Sequence, residues 1–192
     1  MPKKALRIEL RERLGSIPAE ELRQRSAAAC TILCEQPEYV RAEVVMLFLA
    51  AASEVESTHL ALRAWSDGKR LLAPRVSWDQ RRMLPLEVTS LTSGLEEGTM
   101  GMREPIEGLP VPVSEIDLVV VPGLGFDAQG HRLGRGRGFY DRFLSHPDFR
   151  GVSCGLALES QLVKALPVGP HDVRVDMLVT DRTVRHYRPR KR

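Results

Sequence analysis

Leucines at positions 6, 10 and 14 recur every fourth residue, and Ile17 extends the stripe, so Lys3–Ile17 is predicted to form an amphipathic helix. Gly15 and Ser16 interrupt it. Pro18 suits a first helical position and Glu20 and Glu21 suit the first turn of a second helix, whose core face is Leu22, Ala29, Ile32 and Leu33. Val44–Ala50 is a near-continuous apolar run, the pattern of a strand covered on both faces. A helix is expected after Ser57, through Leu60, Leu62 and Trp65. Lys69–Val76 and Arg82–Val88 read as short strands, compatible with an antiparallel edge on a parallel sheet. Leu91–Pro112, rich in Gly, Pro and Glu, reads as loop, with Met100, Met102 and Ile106 available to cover a pocket. Leu118–Val121 is a second buried strand and Gly151–Leu158 a third. Glu159–Leu166 is expected to form a short helix. His171–Asp181 alternates polar and apolar, as a half-exposed strand does, with Asp172 and Asp176 towards water. No internal repeat or linker appears. Strands and helices alternate along most of the chain. The expected architecture is one α/β domain over 1–192, with a mostly parallel, mixed-edge sheet flanked by helices in a Rossmann-like three-layer arrangement.

Composition narrows the picture little until it is resolved by position. The 192 residues carry a formal charge of +3, but six basic and no acidic residues lie within 182–192, so the preceding body is at −3. The body is therefore not a basic nucleic-acid binder, and the basic tail is expected to be a solvated, frayed end. No apolar run approaches a membrane span, and MPKKALRIEL has no apolar signal core. Three cysteines, none in a Cys-x-x-Cys pair, favour reduced thiols in the cytoplasm. Cys30 and Cys34, one helical turn apart, read as packing residues.

The densest chemistry lies in Val119–Leu144, a strand, a Gly-rich loop and then a helical pattern through Phe139, Phe143 and Leu144. Its core is Gly134-Arg135-Gly136-Arg137-Gly138. Glycine allows close backbone approach and positive φ. Arginine supplies planar donors that match phosphate oxygens. Asp141 falls in the first helical turn, where it can complement the helix dipole or hold a Mg²⁺ that bridges phosphates. The spacing is neither a Walker A motif nor the dinucleotide Gly-x-Gly-x-x-Gly pattern. Phosphate binding, a flexible surface loop and an RGG-like RNA contact are the readings open to this loop from residue types alone. Lys3 and Arg7 project together from one helix face, either as a basic pair or as a solvated stripe. Glu54 and Glu56 lie beyond a strand end, where α/β sheets bind ligands. They also lie beside Ser53 and Ser57, where helix capping would account for them.

Gly123-Leu-Gly-Phe-Asp127, Gly130, Arg132-Leu-Gly-Arg-Gly-x-Gly138 and Tyr140-Asp141, taken together, resemble the signature of the 5-formyltetrahydrofolate cyclo-ligase family. Lys3-x-x-Leu6-Arg7, Glu54 and His171-Asp-x-x-Val-Asp176 are similar to further elements of that family, in the same order. The resemblance implies ATP- and Mg²⁺-dependent cyclisation of 5-formyltetrahydrofolate to 5,10-methenyltetrahydrofolate. In this scheme the formyl oxygen is phosphorylated, N10 attacks, and ADP and phosphate are released. It implies ATP contacts at Lys3, Lys4, Ala5, Leu6 and Arg7, and again at Arg132, Leu133, Gly134, Arg135, Gly136, Arg137, Gly138, Phe139 and Tyr140. Folate contacts are implied at Leu49, Glu54 and Arg135–Phe139, with Glu54 on the pterin. Arg135 and Arg137 would stabilise the transferring group, and Asp141 and Asp176 would hold Mg²⁺. Departures from the family pattern are Ser57 where Thr is common, Arg137 where Lys or Gly is common, and Phe139 where Tyr is common. The implied protein is a monomer with no membrane or nucleic-acid partner. The rival readings are an RNA-associated module using the Gly-Arg loop and the basic tail, and a nucleotide-binding regulator on the same fold.

Overall fold

A computed structural model describes residues 2–51, 54–98 and 101–187. The chain begins with α1 (Lys3–Gly15), α2 (Ala19–Cys34) and α3 (Pro37–Arg41), then β1 (Val44–Met46), α4 (Thr58–Ser66), β2 (Arg70–Ser77) and β3 (Arg82–Glu87). A small hairpin, β4 (Leu95–Glu97) and β5 (Arg103–Pro105), precedes the central strand β6 (Leu118–Val121). Then come the short pair β7 (Gly125–Phe126) and β8 (Arg132–Leu133), α5 (Phe139–Leu144), β9 (Val152–Leu156), β10 (Met177–Val179) and β11 (Val184–His186).

Seven strands form one sheet in the order β11-β10-β9-β6-β1-β2-β3. The five inner strands are parallel and only β3 and β11 run antiparallel, which is the mixed-edge sheet expected. Both faces are covered, so the strands read as unbroken apolar runs while their side chains still divide by the period of two. Val45, Leu71, Leu118, Val120, Cys154, Met177 and Val179 face a core closed by Leu22, Ala29 and Leu33 of α2 and Leu60, Ala61 and Ala64 of α4. Met46, Leu72, Val119, Val121 and Leu178 face the other core, with Phe126, Phe143, Leu144 and Phe149. The leucine stripe of α1 is buried as predicted, against Leu124, Leu133 and Leu166. Among the described residues no helix is long and apolar enough to cross a membrane.

The chain starts at β1, builds β2 on one side, then returns to place β6 on the other. Strand order therefore reverses between β1 and β6, and their carboxyl ends open a crevice at this switch point. Asp117 fixes the opposite end, its Oδ2 accepting the backbone N–H groups of Glu43 and Val44 at 2.9 Å each.

Several expectations are corrected. The apolar run Val44–Ala50 yields only a three-residue strand. Leu47 N still donates to Leu72 O (2.9 Å), but the Phe48 carbonyl is taken by the Ser57 hydroxyl at 2.5 Å and the chain leaves the ladder. Ser57 thus does not cap α4 with its side chain; Ser53 lies outside the described residues. Leu91–Pro112 is not all loop, since it contains the β4–β5 hairpin. Glu159–Gln161 is a single 3₁₀ turn. The alternation from His171 yields strand only at Met177–Val179, and all three of those residues are buried because Met177 and Val179 face one core and Leu178 the other. The start of the basic tail is not frayed, because Val184–His186 is a sheet strand; residues 188–192 lie outside the description.

Gly151 enters β9 where a Cβ would lie 2.6 Å from the Asp117 carbonyl oxygen. Backbone cannot yield there as a side chain can. Gly151→Ala is expected to lower stability by about 1–3 kcal/mol in urea unfolding followed by circular dichroism.

Candidate functional site

A cavity of about 820 Å³ occupies the crevice. Its walls come from α1, the ends of β1 and β6, the β2–β3 and β4–β5 hairpins, the Gly-Arg loop with α5, and residues 170–173. The segments that the sheet topology gathers here are far apart in sequence, and seven Lys and Arg residues from them line the cavity: Lys3, Arg7, Arg103, Arg132, Arg135, Arg137 and Arg142.

Arg132 is the most deeply set, its side chain 5% exposed. Its Nη2 donates to Asp141 Oδ1 (3.0 Å) and its guanidinium carbon sits 5.6 Å from the centroid of the Tyr140 ring. Burial lowers its pKa, and the nearby Asp141, Tyr140 and Asp172 oppose that shift. Asp141 Oδ1 also accepts the Val173 backbone N–H (3.1 Å), which joins the first turn of α5 to the 170–173 segment. The Tyr140 hydroxyl and Arg132 Nε are buried without a hydrogen-bond partner. Burial pushes the Tyr140 hydroxyl's pKa up.

The Gly-Arg loop is held from both sides. Arg7 Nε donates to the Gly134 carbonyl (3.0 Å). Gly136 adopts φ of 100°, and a Cβ there would come within 3.1 Å of the Arg7 guanidinium carbon. The positive φ favours glycine at this position, and a side chain there would also displace the Arg7 guanidinium. Arg135 Nε donates to Glu54 Oε1 at 2.8 Å, while Glu54 Oε2 accepts the Ala51 N–H at 3.0 Å. Arg137 lies over the Trp78 ring (5.6 Å), and Trp78 meets Phe139 edge-on with centroids 5.2 Å apart. Arg142 donates to the carbonyls of Arg81 and Arg137, fastening the turn of the β2–β3 hairpin to the loop. The helix after the loop is only six residues long and starts from Gly138 in the left-handed conformation.

Most of the expected site residues line this cavity: Lys3, Arg7, Leu49, Glu54, Arg132–Tyr140 and Asp141. Four do not. Lys4 and Ala5 are exposed on the outer face of α1, and Leu6 is in the core at 8% exposure, since successive helix positions point 100° apart. Asp176 is the fourth. Its Oδ2 accepts the Ser153 N–H (2.9 Å) and the Ser153 hydroxyl (2.7 Å), and it is not part of the cavity wall. The cavity carboxylate of that stretch is Asp172, paired with Lys3 and accepting the Gly169 N–H at 2.6 Å. Burial raises its pKa, but the Lys3 and Gly169 hydrogen bonds outweigh this and the net shift is downward. Period-two alternation placed Asp172 towards water; the Pro170 that precedes it was the available signal that this stretch is not yet strand. Glu104, on β5, was missed entirely because its segment read as loop. Met102 lines the cavity, Ile106 is exposed at 44%, and Met100 lies outside the described residues.

Asp141 Oδ2 and Asp172 Oδ1 each lie on a cavity carboxylate whose other oxygen is already engaged. Two hard oxygen donors suit Mg²⁺ if phosphates and waters complete its shell. Among the described residues no group of three or more His, Cys, Asp or Glu side chains forms a metal cage.

The sequence pattern of the 5-formyltetrahydrofolate cyclo-ligase family matches residues 1–181. Mouse 5-formyltetrahydrofolate cyclo-ligase is 30% identical over 184 residues, covering 91% of each chain. The Mycolicibacterium smegmatis protein of that name is 31% identical over 182 residues, covering 93% of each. Aquifex aeolicus 5,10-methenyltetrahydrofolate synthetase superposes with a TM-score of 0.85 at 32% identity, covering 100% of this chain and 96% of that one. With the family elements of α1 and the Gly-Arg loop, and the His171–Val173 part of the third, lining one cavity, the chain belongs to the 5-formyltetrahydrofolate cyclo-ligase family, a family of ligase enzymes.

Proposed function

We propose that this protein converts 5-formyltetrahydrofolate to 5,10-methenyltetrahydrofolate in an ATP- and Mg²⁺-dependent reaction. The observation that carries this reading is the Arg135–Glu54 ion pair, which joins the Gly-Arg loop to a carboxylate beyond β1 within one cavity. A phosphate-type loop and an acceptor for pterin N–H groups thereby share a space of sufficient size for both substrates to meet.

The chemistry follows from the substrate. A formamide oxygen is a poor leaving group, and transfer of the γ-phosphoryl group to it makes it a good one. N10 then attacks the activated formyl carbon and phosphate departs. Phosphoryl transfer needs positioning and charge neutralisation more than a nucleophilic side chain. Arg135 and Arg137 neutralise the transferring group, and Lys3 and Arg7 neutralise other phosphate oxygens. Arg132 supports the loop from beneath through Asp141. Glu54 orients the pterin, with Phe48 and Leu49 beside it. Asp141 and Asp172 would hold Mg²⁺, which supplies charge neutralisation on the nucleotide phosphates. The three cysteines, all buried thiols, accord with a cytoplasmic enzyme, which we read as a monomer.

Purified protein with 5-formyltetrahydrofolate, Mg²⁺ and ATP is expected to develop the near-ultraviolet absorbance of the methenyl product. Leaving out ATP, or chelating the metal, should abolish the signal; product formed without either would refute the phosphorylation scheme.

Glu54→Gln should raise the KM for the folate about tenfold or more, since a charge-assisted hydrogen bond to the substrate is weakened. An unchanged folate KM would remove Glu54 from the folate contacts.

Arg137→Ala should lower kcat about 10²–10³-fold while folate affinity, measured by titration without ATP, stays near that of the unaltered protein. Equal loss of turnover and folate affinity would argue for a binding role instead.

A further inference from the structure

Of the seven Lys and Arg residues that line the cavity, six commit a side-chain donor to a carboxylate or a backbone carbonyl of the protein itself. Arg137 is the exception. Among the described residues its guanidinium has no hydrogen-bond or ion-pair partner, and what it meets is an indole face, with the guanidinium carbon 5.6 Å from the centroid of the Trp78 ring. A cation–π contact takes up no acceptor, so the planar fork of Arg137 donors stays uncommitted and suits phosphate oxygens. Arg137 is exposed. A long side chain in that setting samples many rotamers, and restricting it to one is costly in entropy unless a contact holds it.

The indole is itself braced. Trp78 opens the turn 78–81 between β2 and β3, whose flanks pair at Ser77 and Arg82. The turn carries strain, since Arg81 adopts φ of 52° without being glycine. Arg142 of α5 holds it there, its Nε donating to the Arg81 carbonyl at 2.6 Å and its Nη2 to the Arg137 carbonyl at 2.9 Å. The Arg142 guanidinium carbon also lies 5.1 Å from the centroid of the Phe139 ring, and Phe139 meets the Trp78 ring edge-on at 87°. The first turn of α5 thus fixes both the indole and the backbone that carries Arg137. Trp78 is half-buried and does not line the cavity, whereas Arg137 and Phe139 do. The indole therefore stands behind the cation, on the side away from the substrates.

We infer that Trp78 is a positioning residue for the reaction, its π face holding the Arg137 guanidinium in place for the transferring phosphoryl group. This rests on the functional reading above. A cation already in place needs little rearrangement as charge develops, and that is where its contribution to rate lies. Without the indole face Arg137 disperses into solvent and must be gathered again at each turnover. Ground-state binding depends on other groups, since Glu54, Lys3 and Arg7 do not touch the indole. The contribution of Trp78 therefore falls on kcat and passes through Arg137.

The test is a double-mutant cycle: kcat and the KM values for folate and ATP are measured for Trp78→Leu and Trp78→Phe, each alone and combined with Arg137→Ala. Trp78→Leu keeps apolar bulk against Phe139 but has no π face. It is expected to lower kcat about fivefold or more with both KM values within about twofold, and Trp78→Phe, which keeps a face, to recover most of that loss. In the Arg137→Ala protein, Trp78→Leu is expected to change kcat by less than about twofold, because the cation it would hold is gone. A Trp78→Leu kcat within about twofold of the wild type, a loss carried by KM, equal losses for Leu and Phe, or an undiminished further loss in the Arg137→Ala protein each overturn the assignment. If Trp78→Leu proves unfolded by circular dichroism, tryptophan emission decides. The chain has two tryptophans, and Trp65 is held elsewhere, its Nε1 donating to the Val88 carbonyl. Arg137→Ala is then expected to shift the emission of Trp78, and an unchanged spectrum overturns the assignment. A wild type that forms no methenyl product fails the functional reading itself, an outcome distinct from an active wild type whose turnover is indifferent to Trp78.

Discussion

The site depends on one buried cation. Taking the Arg132 guanidinium out of water is expensive, and the cost is offset only if anionic and polarisable groups are held against it. Asp141 and the face of Tyr140 do this. In doing so they join three segments: β8, which carries Arg132, the first turn of α5, and the 170–173 strip that donates to Asp141 through Val173. Lys3, on the far N-terminal helix, then finds Asp172 at the edge of the same cluster. The arrangement places one cation where it serves as foundation and leaves Arg135 and Arg137 nearer the surface of the same cavity.

Sheet topology supplies the space that this cluster organises. A reversal of strand order leaves the ends of β1 and β6 without a crossing connection between them. The chain fills one flank of the gap with a glycine loop drawn against Arg7 and the other with two hairpins. The loop is rigid by contact rather than by secondary structure. Arg7, Glu54, Trp78 and Arg142 each fasten a different part of it. Positioned donors of this kind need little rearrangement when charge develops on a substrate.

Much of this was legible in the sequence, for a physical reason. Leu6, Leu10 and Leu14, and the four apolar residues from Leu118 to Val121, report burial directly, because period and face are local properties. The motif Gly134–Gly138 reported a loop that must approach something closely. What misled was alternation without pairing. From His171 to Asp176 polar and apolar residues alternate as in a strand, yet no neighbouring strand is available until Met177, so Asp172 turns into the cavity. Asp176 is consumed by Ser153, a residue whose nearness no local pattern conveys. Leu47 to Ala50 were apolar enough for strand, but the Phe48 carbonyl is claimed by the Ser57 hydroxyl and the ladder ends there. Glu104 sat in a segment whose Gly and Pro content concealed a hairpin.

The two outer strands carry a further consequence. A long unpaired sheet edge is a template on which other chains can add, and β3 and β11 both lack that character. β11 is three residues long and presents Arg185 and His186. β3 contains Pro85, which has no N–H to offer, and the Pro85 carbonyl is already taken by Val111 at 2.9 Å. The loop that leads to the central strand thus also occupies part of the β3 margin, where a further strand would otherwise add.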